Sequence, residues 1–371
     1  MMNELLSRIT IISIGISSIN NGYFPKLNGV EKDIENLKDI FINNPKTAIF
    51  KENQFFSEME IDSNNFRKII NDYVLSRSAN RDILIFYYSG HGVSIGSNDF
   101  GFCTTDTIIH PDSEIPLPFS IIKFSDILRS LETVDVIPIF IIDACYSGKA
   151  AKQMTIPPLE AISNMRNQIH STAASSYALF CSCSDSQISM DTIEGGIFSK
   201  SIIAIGQKGI RRKKEKNKPI LSINDLYPFI EEKVLSEVTN SIPRLFIGQT
   251  VPDVPFVKNV QYKLKKYSLC PTLIQVIFVL WNNGNELILQ PKEIGEKCSH
   301  GAYCNHNKLS EKPWDLVETV PNSAKRKLTR RGKEFVTNKI SIPKTIIENP
   351  ITGEFIPKDD TKFVKFSDFL K

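Results

Sequence analysis

The sequence predicts an α/β fold, a mostly parallel sheet flanked by helices, with a small α+β domain after it. Two observations carry this. Continuous apolar, β-branched runs such as Ile83 to Tyr88 and Val136 to Ile142 alternate with helical patterns, which is how strands buried on both faces of a parallel sheet read. The chain of 371 residues is also too long for one ordinary domain, and its pattern changes after Val260. The expected division is residues 1–262 for the larger domain, 268–340 for the accessory one and 341–371 for a C-terminal extension.

In order, Ile9 to Ile16 reads as a strand, Gly29 to Phe41 as a helix and Ala48 to Phe55 as strand-like. A helix from Ser63 to about Arg77 has Ser63 or Asn64 as its expected N-cap. Ile83 to Tyr88 is a buried strand, Phe100 to Thr104 a short one, Phe124 to Leu131 a helix and Val136 to Ile142 a second buried strand. Tyr177 to Cys183 is a further strand, and Ile197 to Ile205 and Ile223 to Val234 are helices. The stretch from Lys149 to Ser176 and the basic run Arg211 to Lys218 read as loops.

Composition narrows the function classes. Apolar residues are 41% and charged residues 23%, so most of the chain can bury a core. A net charge of +4 over this length names no nucleic-acid partner. Seven irregularly spaced cysteines do not form a secreted disulfide framework and point to a reducing compartment. The N-terminal segment lacks a signal-peptide cleavage pattern and no apolar run is long enough for a membrane span, so a cytoplasmic protein is expected.

Two motifs carry chemistry. Ser89-Gly90-His91-Gly92 follows one buried strand and Asp143-Ala144-Cys145-Tyr146-Ser147-Gly148 follows the other. A thiol nucleophile needs a base and donors for the oxyanion. Cys145 and His91 are the candidate pair, with the amides of Gly92 and Cys145 as the oxyanion donors. The glycines around His91 are expected to let a substrate backbone pass close to the ring. Cys103, Cys181 and Cys183 read as inert core residues.

With these motifs, and with Leu27-Asn28-Gly29-Val30-Glu31-Lys32-Asp33 in the first loop and helix, the chain resembles the caspase and metacaspase superfamily, in particular its prokaryotic caspase-like members, over about residues 5 to 258. The resemblance implies a cysteine endopeptidase acting through a Cys145 thioester on a protein substrate. No cofactor is expected, and although some metacaspases need calcium, no loop here has acidic residues at a recognised ligand spacing, so no metal is expected. Animal caspases have Gln two residues before the cysteine; here Asp143 stands there, as in metacaspases. It implies an acidic S1 pocket built from Asp33 and Asp143, with Ser182, Ser184 and Asp185 as further candidates, and Arg or Lys at P1, the substrate residue whose carbonyl is attacked. Lys149 to Ser176 stands where many members carry an activation loop. A setting in prokaryotic stress or antiviral defence follows from the resemblance alone.

In the C-terminal region, Pro271 to Trp281, Pro291 to Lys297 and Tyr303 to Trp314 read as helices, and Val320 to Val336 as a β-turn and strand, similar to a winged-helix domain. Lys325, Arg326, Lys327, Arg330, Arg331 and Lys333 cluster in the expected wing. With only Lys308 and Lys312 on the third helix, contact with an activating protein or signal is favoured over DNA. Cys270, Cys298, His300, Cys304 and His306 match no common zinc spacing. The rival readings are a catalytically idle caspase-like scaffold acting as an interaction or DNA-binding regulator, and a related peptidase with another P1 choice such as Asn.

Overall fold

The structure is a computed structural model that describes residues 2–20, 23–76, 82–95, 99–112, 116–145, 165, 177–182, 195–211, 218–238, 243–248, 253–264, 266–269, 271–282, 285–298, 314–349, 352 and 354–369. It divides into two compact units, Met1–Tyr262 and Lys263–Lys371.

The first unit runs α1 (Met2–Ser7), β1 (Ile9–Gly15), α2 (Val30–Lys38), β2 (Phe55–Met59), α3 (Ser63–Leu75), β3 (Asp82–Ile95), β4 (Asp99–Phe102), β5 (Ile122–Lys123), α4 (Phe124–Leu131) and β6 (Val136–Cys145). It continues with β7 (Ala178–Cys181), α5 (Ile197–Lys208), β8 (Ile220–Ser222), α6 (Ile223–Glu237), β9 (Arg244–Ile247) and β10 (Pro255–Lys258). The main sheet has the order β2-β1-β3-β6-β7-β9, with β4 paired to β3 and β5 to β4. Pairings among β2, β1, β3, β6 and β7 are parallel; β9 and β4 join antiparallel. This is the mostly parallel, helix-flanked sheet expected from the alternating apolar runs.

Both sheet faces are buried because period-2 alternation sends successive residues of β3 to opposite helical layers. Leu84, Phe86 and Tyr88 join Phe140 and Ile142 in a cluster with Phe66 and Ile70 of α3 and Phe124 and Ile127 of α4. Its rings interlock, with Phe124 4.8 Å from Phe140 and Tyr88 4.8 Å from Phe102. On the opposite layer Phe180 of β7 packs edge-on against Phe198 of α5 and Tyr227 of α6. Each such buried ring contributes about 1.5–3 kcal/mol of transfer free energy.

Four local expectations are corrected. The strand expected over Ala48 to Phe55 begins at Phe55 instead, because the preceding chain is drawn into turns: the Ala48 amide donates to Asn44, and Gln54 donates to the carbonyls of Leu6 and Ile9. The N-cap of α3 is Asp62, whose carboxylate accepts from the Asn65 amide at 2.7 Å. Strand β3 continues through Ser89-Gly90-His91-Gly92 to Ile95, and β6 runs on to Cys145, so neither strand ends where its apolar run stops.

In the second unit, helices Pro271–Leu280 and Pro291–Lys297 match the expected ones; the third lies outside the described residues apart from Trp314. Leu269, Ile274, Ile277, Leu280, Trp314, Leu316 and Phe335 build a separate core. Strands Val317–Thr319 and Arg326–Leu328 form a hairpin, and Leu289 bridges to Arg326. The fourth correction falls here, since the expected wing strand ends at Leu328 and Arg330–Val336 is a helix. Thr329 caps it by accepting from the Gly332 amide at 2.9 Å. Three of the six expected wing cations are paired with carboxylates: Lys327 with Glu318, Arg330 with Glu334 and Lys333 with Glu286.

A Cβ at Gly332 would lie 2.2 Å from the Leu316 carbonyl oxygen, a backbone atom that cannot rotate aside. Gly332→Ala is expected to destabilise the second unit by about 1–3 kcal/mol. Hydrogen exchange is expected to speed up over residues 314–336 and stay unchanged in the β1–β3–β6 sheet.

Candidate active site

The parallel ladder between β3 and β6 is continuous from Asp82↔Val136 to its last rungs, Ser89↔Asp143, Gly90↔Ala144 and His91↔Cys145. Residues 54 positions apart in sequence are thereby neighbours across one strand spacing, about 4.8 Å. His91 is buried, its ring centroid 4.9 Å from that of Phe24 and its Nε2 2.8 Å from the Pro25 carbonyl oxygen. A carbonyl only accepts, so in this contact Nε2–H donates, which in the neutral form of the ring leaves the lone pair on Nδ1. The segment that brings Pro25 here is itself held: Ser17 donates its amide to Glu60 at 2.7 Å and accepts from the Leu27 amide at 2.8 Å.

The His91 main chain is pinned as well. Its carbonyl accepts from the Cys103 amide at 3.0 Å and from the Tyr88 hydroxyl at 2.8 Å. With the His91 carbonyl directed to β4, the Gly92 amide, one residue on, is directed to the opposite edge, where β6 ends at Cys145. The two glycines also answer to packing. A Cβ at Gly90 would meet the Tyr88 hydroxyl at 2.6 Å, and one at Gly92 would meet the Phe100 ring at 2.5 Å. Aromatic side chains of the packed layer leave no room for a Cβ at either position.

On the layer of α2 and α5, two carboxylates meet. Asp33 of α2 and Asp143 of β6 are both buried, and both approach Gly196, where a Cβ would sit 2.8 Å from Asp143 Oδ2 and 3.4 Å from Asp33 Oδ2. The first turn of α5 supplies donors. The Gly196 amide lies 3.1 and 3.2 Å from the Asp33 oxygens, and the Ser199 amide and hydroxyl lie 3.3 and 2.5 Å from Asp143 Oδ2. Ser89 Oγ reaches Asp33 at 3.4 Å, and Tyr87 shares a 2.6 Å hydrogen bond with Ser199. Burial, then the Asp33 and Asp143 charges, hold the Tyr87 phenol well above its ordinary value, so it stays protonated as a donor.

Of the further S1 candidates, Ser182 lies half-buried beside β6, its amide donating to the Ile142 carbonyl at 3.0 Å and its hydroxyl directed to the same oxygen. Ser184 and Asp185 lie outside the described residues, as do Cys183, Cys270, His300, Cys304, His306 and all of 149–176 except Met165. Lys218, at the end of the basic run, pairs with Asp225 at 2.6 Å. Among the described residues no group of three or more His, Cys, Asp or Glu could hold a metal ion, and no helix is long and apolar enough to cross a membrane. Sequence reasoning missed Ser89, Ser199, Tyr87 and Gly196. Period-2 parity from His91 would have marked Ser89 and Tyr87, whereas Gly196 meets Asp33 and Ser199 meets Asp143 only through the tertiary fold.

A family model described as "Caspase domain" matches residues 17–250. The chain belongs to the caspase domain family. It is accordingly an enzyme of the cysteine-peptidase type that acts on protein substrates. None of the curated proteins matches it. Among solved structures, a protein from Geobacter sulfurreducens determined as a structural-genomics target is 18% identical, with a TM-score of 0.43, covering 65% of this chain and 93% of its own.

Cys103, whose amide holds the His91 carbonyl, has its thiol pushed up to about 12 by burial. Because the folded value is raised, its contribution is fully present below about pH 9 and is lost as pH climbs toward 12, at about 1.4 kcal/mol per pH unit. Urea denaturation of wild type is expected to weaken over that window. Cys103→Ala is expected to give a visibly flatter profile between pH 9 and 10, before tyrosines titrate.

Proposed function

We propose that the chain is an endopeptidase that cleaves after Arg or Lys through a Cys145 thioester. The observation that carries the reading is the rung His91↔Cys145, which sets the two backbones side by side at the end of the ladder. Residues paired on one rung share a sheet face. The thiol then gives its proton to His91 Nδ1, the sulfur attacks the P1 carbonyl carbon, and the C–N bond breaks as the imidazolium protonates the leaving amine. Water, deprotonated by the same ring, hydrolyses the thioester and frees the sulfur. The Gly92 and Cys145 amides receive the developing oxyanion once the last rung of the ladder opens toward substrate.

Asp33 and Asp143 supply the pocket for the cationic P1 side chain, for which a close pair of buried carboxylates is the complementary charge. Ser182, Ser184 and Asp185 remain the candidates for further recognition beside the pocket, where an extended substrate adds by main-chain hydrogen bonds. Residues 149–176 act as the activation segment, and cleavage there after Lys149, Lys152 or Arg166 fits the same specificity. The C-terminal unit, read as winged-helix-like and spanning 268–340 with the extension 341–371, couples the enzyme to an activating protein or signal. The pairing of Lys327, Arg330 and Lys333 with carboxylates disfavours duplex DNA as that signal.

The burial of His91 under Phe24 and Pro25 describes a latent site, and it is also what an idle scaffold would retain. A peptide-library digest separates the two. Wild type is expected to cut after Arg and Lys, with Cys145→Ala at least about a thousandfold slower, as befits loss of a nucleophile. No cleavage by either protein would leave the scaffold reading, and cleavage after Asp or Asn would overturn the basic P1 assignment.

A further inference from the structure

We propose that Ser199 is a positioning residue for P1 recognition, its hydroxyl, ordered by Tyr87, holding the Asp143 carboxylate toward Asp33. The inference rests on the basic P1 pocket proposed above and deepens it.

Directionality follows from donor count. The Asp143 carboxylate oxygen only accepts, so the single Ser199 hydroxyl proton is committed to the 2.5 Å bond with Oδ2. The 2.6 Å contact with Tyr87 must then run the other way, the phenol donating to Ser199 Oγ. The result is a buried chain, Tyr87 to Ser199 to Asp143, ending on a charge-assisted bond of the strong kind.

The two carboxylates are held differently. Asp33 accepts from the Gly196 amide, at 3.1 and 3.2 Å, a main-chain donor. Asp143 Oδ2 accepts from the Ser199 amide at 3.3 Å and from its hydroxyl at 2.5 Å, so the hydroxyl makes the shorter of the two contacts that Ser199 offers it. Gly196 and Ser199 begin the same turn of α5, so one helix start sets the spacing of both acids, and two like charges this close repel unless each is tied down. Removing the Ser199 hydroxyl takes away the shorter of the Ser199 contacts that hold Asp143 toward Asp33, and the pair encloses one cation less closely. Cys145 and His91, on the next rung of like parity, keep their backbone placement.

The test uses the full chain with peptidyl-Arg and peptidyl-Lys aminomethylcoumarin substrates, and measures Cys145 alkylation by iodoacetamide, which needs no P1 pocket. Ser199→Ala is expected to raise KM at least about tenfold, the scale of a hydrogen bond to a charged group, with kcat and the alkylation rate within about threefold of wild type. Ser199→Thr, which restores a hydroxyl, is expected to recover KM. Tyr87→Phe, which keeps Ser199 but removes its donor, is expected to raise KM by a smaller factor, and decides the matter if Ser199→Ala does not fold. Unchanged KM in Ser199→Ala, or in Tyr87→Phe alone where that variant decides, on a substrate that wild type cleaves after Arg, overturns this inference and leaves the pocket assignment standing. Wild type that is alkylated yet cleaves only after non-basic residues overturns the pocket assignment, and this inference with it.

Discussion

The pairing of β3 with β6 is the constraint on which the rest depends. Ten rungs of parallel ladder, from Asp82↔Val136 to His91↔Cys145, fix a relationship that loops alone would leave variable. A slip by one residue would send every side chain of β6 to the wrong layer, moving Phe140 and Ile142 out of the aromatic cluster and Asp143 away from Asp33. The register of the apolar core and the placement of the polar site are therefore one quantity, and the energy that enforces the first also maintains the second.

The same alternation divides labour between the two faces. One face of β3 carries Leu84, Phe86, Tyr88, Gly90 and Gly92 into or beside the packed rings of α3 and α4. The other carries Tyr87, Ser89 and His91 past α2 and α5, where Asp33 and Ser199 wait. A strand that reads as uniformly apolar up to Tyr88 turns polar only on the second face and only beyond that point, so the site sits at the edge of a core that has already been secured.

This explains what was legible in the sequence. The sheet, its helices and the motifs around His91 and Cys145 are written in local periodicity, and Asp33 and Asp143 were reachable through family likeness. The packing demand on the glycines beside His91 was not legible, because it comes from Tyr88 two residues earlier on the same face and from Phe100 of a separate strand. Ser199 was invisible because a serine near the start of an amphipathic helix has no local mark that distinguishes capping from reaching across to another element. Thr329 shows the converse, where a local capping signal outweighed the wing strand expected across it.

The partner of His91 Nε2 is a main-chain oxygen, that of Pro25. An aspartate in that position would lose its hold on the ring whenever acid neutralised it, whereas an amide oxygen takes up no proton across the range in which proteins stay folded. The residue that presents it is also stiff, its ring removing one of the two backbone rotations. The imidazole is thus steered by a fixture with no ionisation state of its own, and acidity can act on the ring without also dismantling its mount.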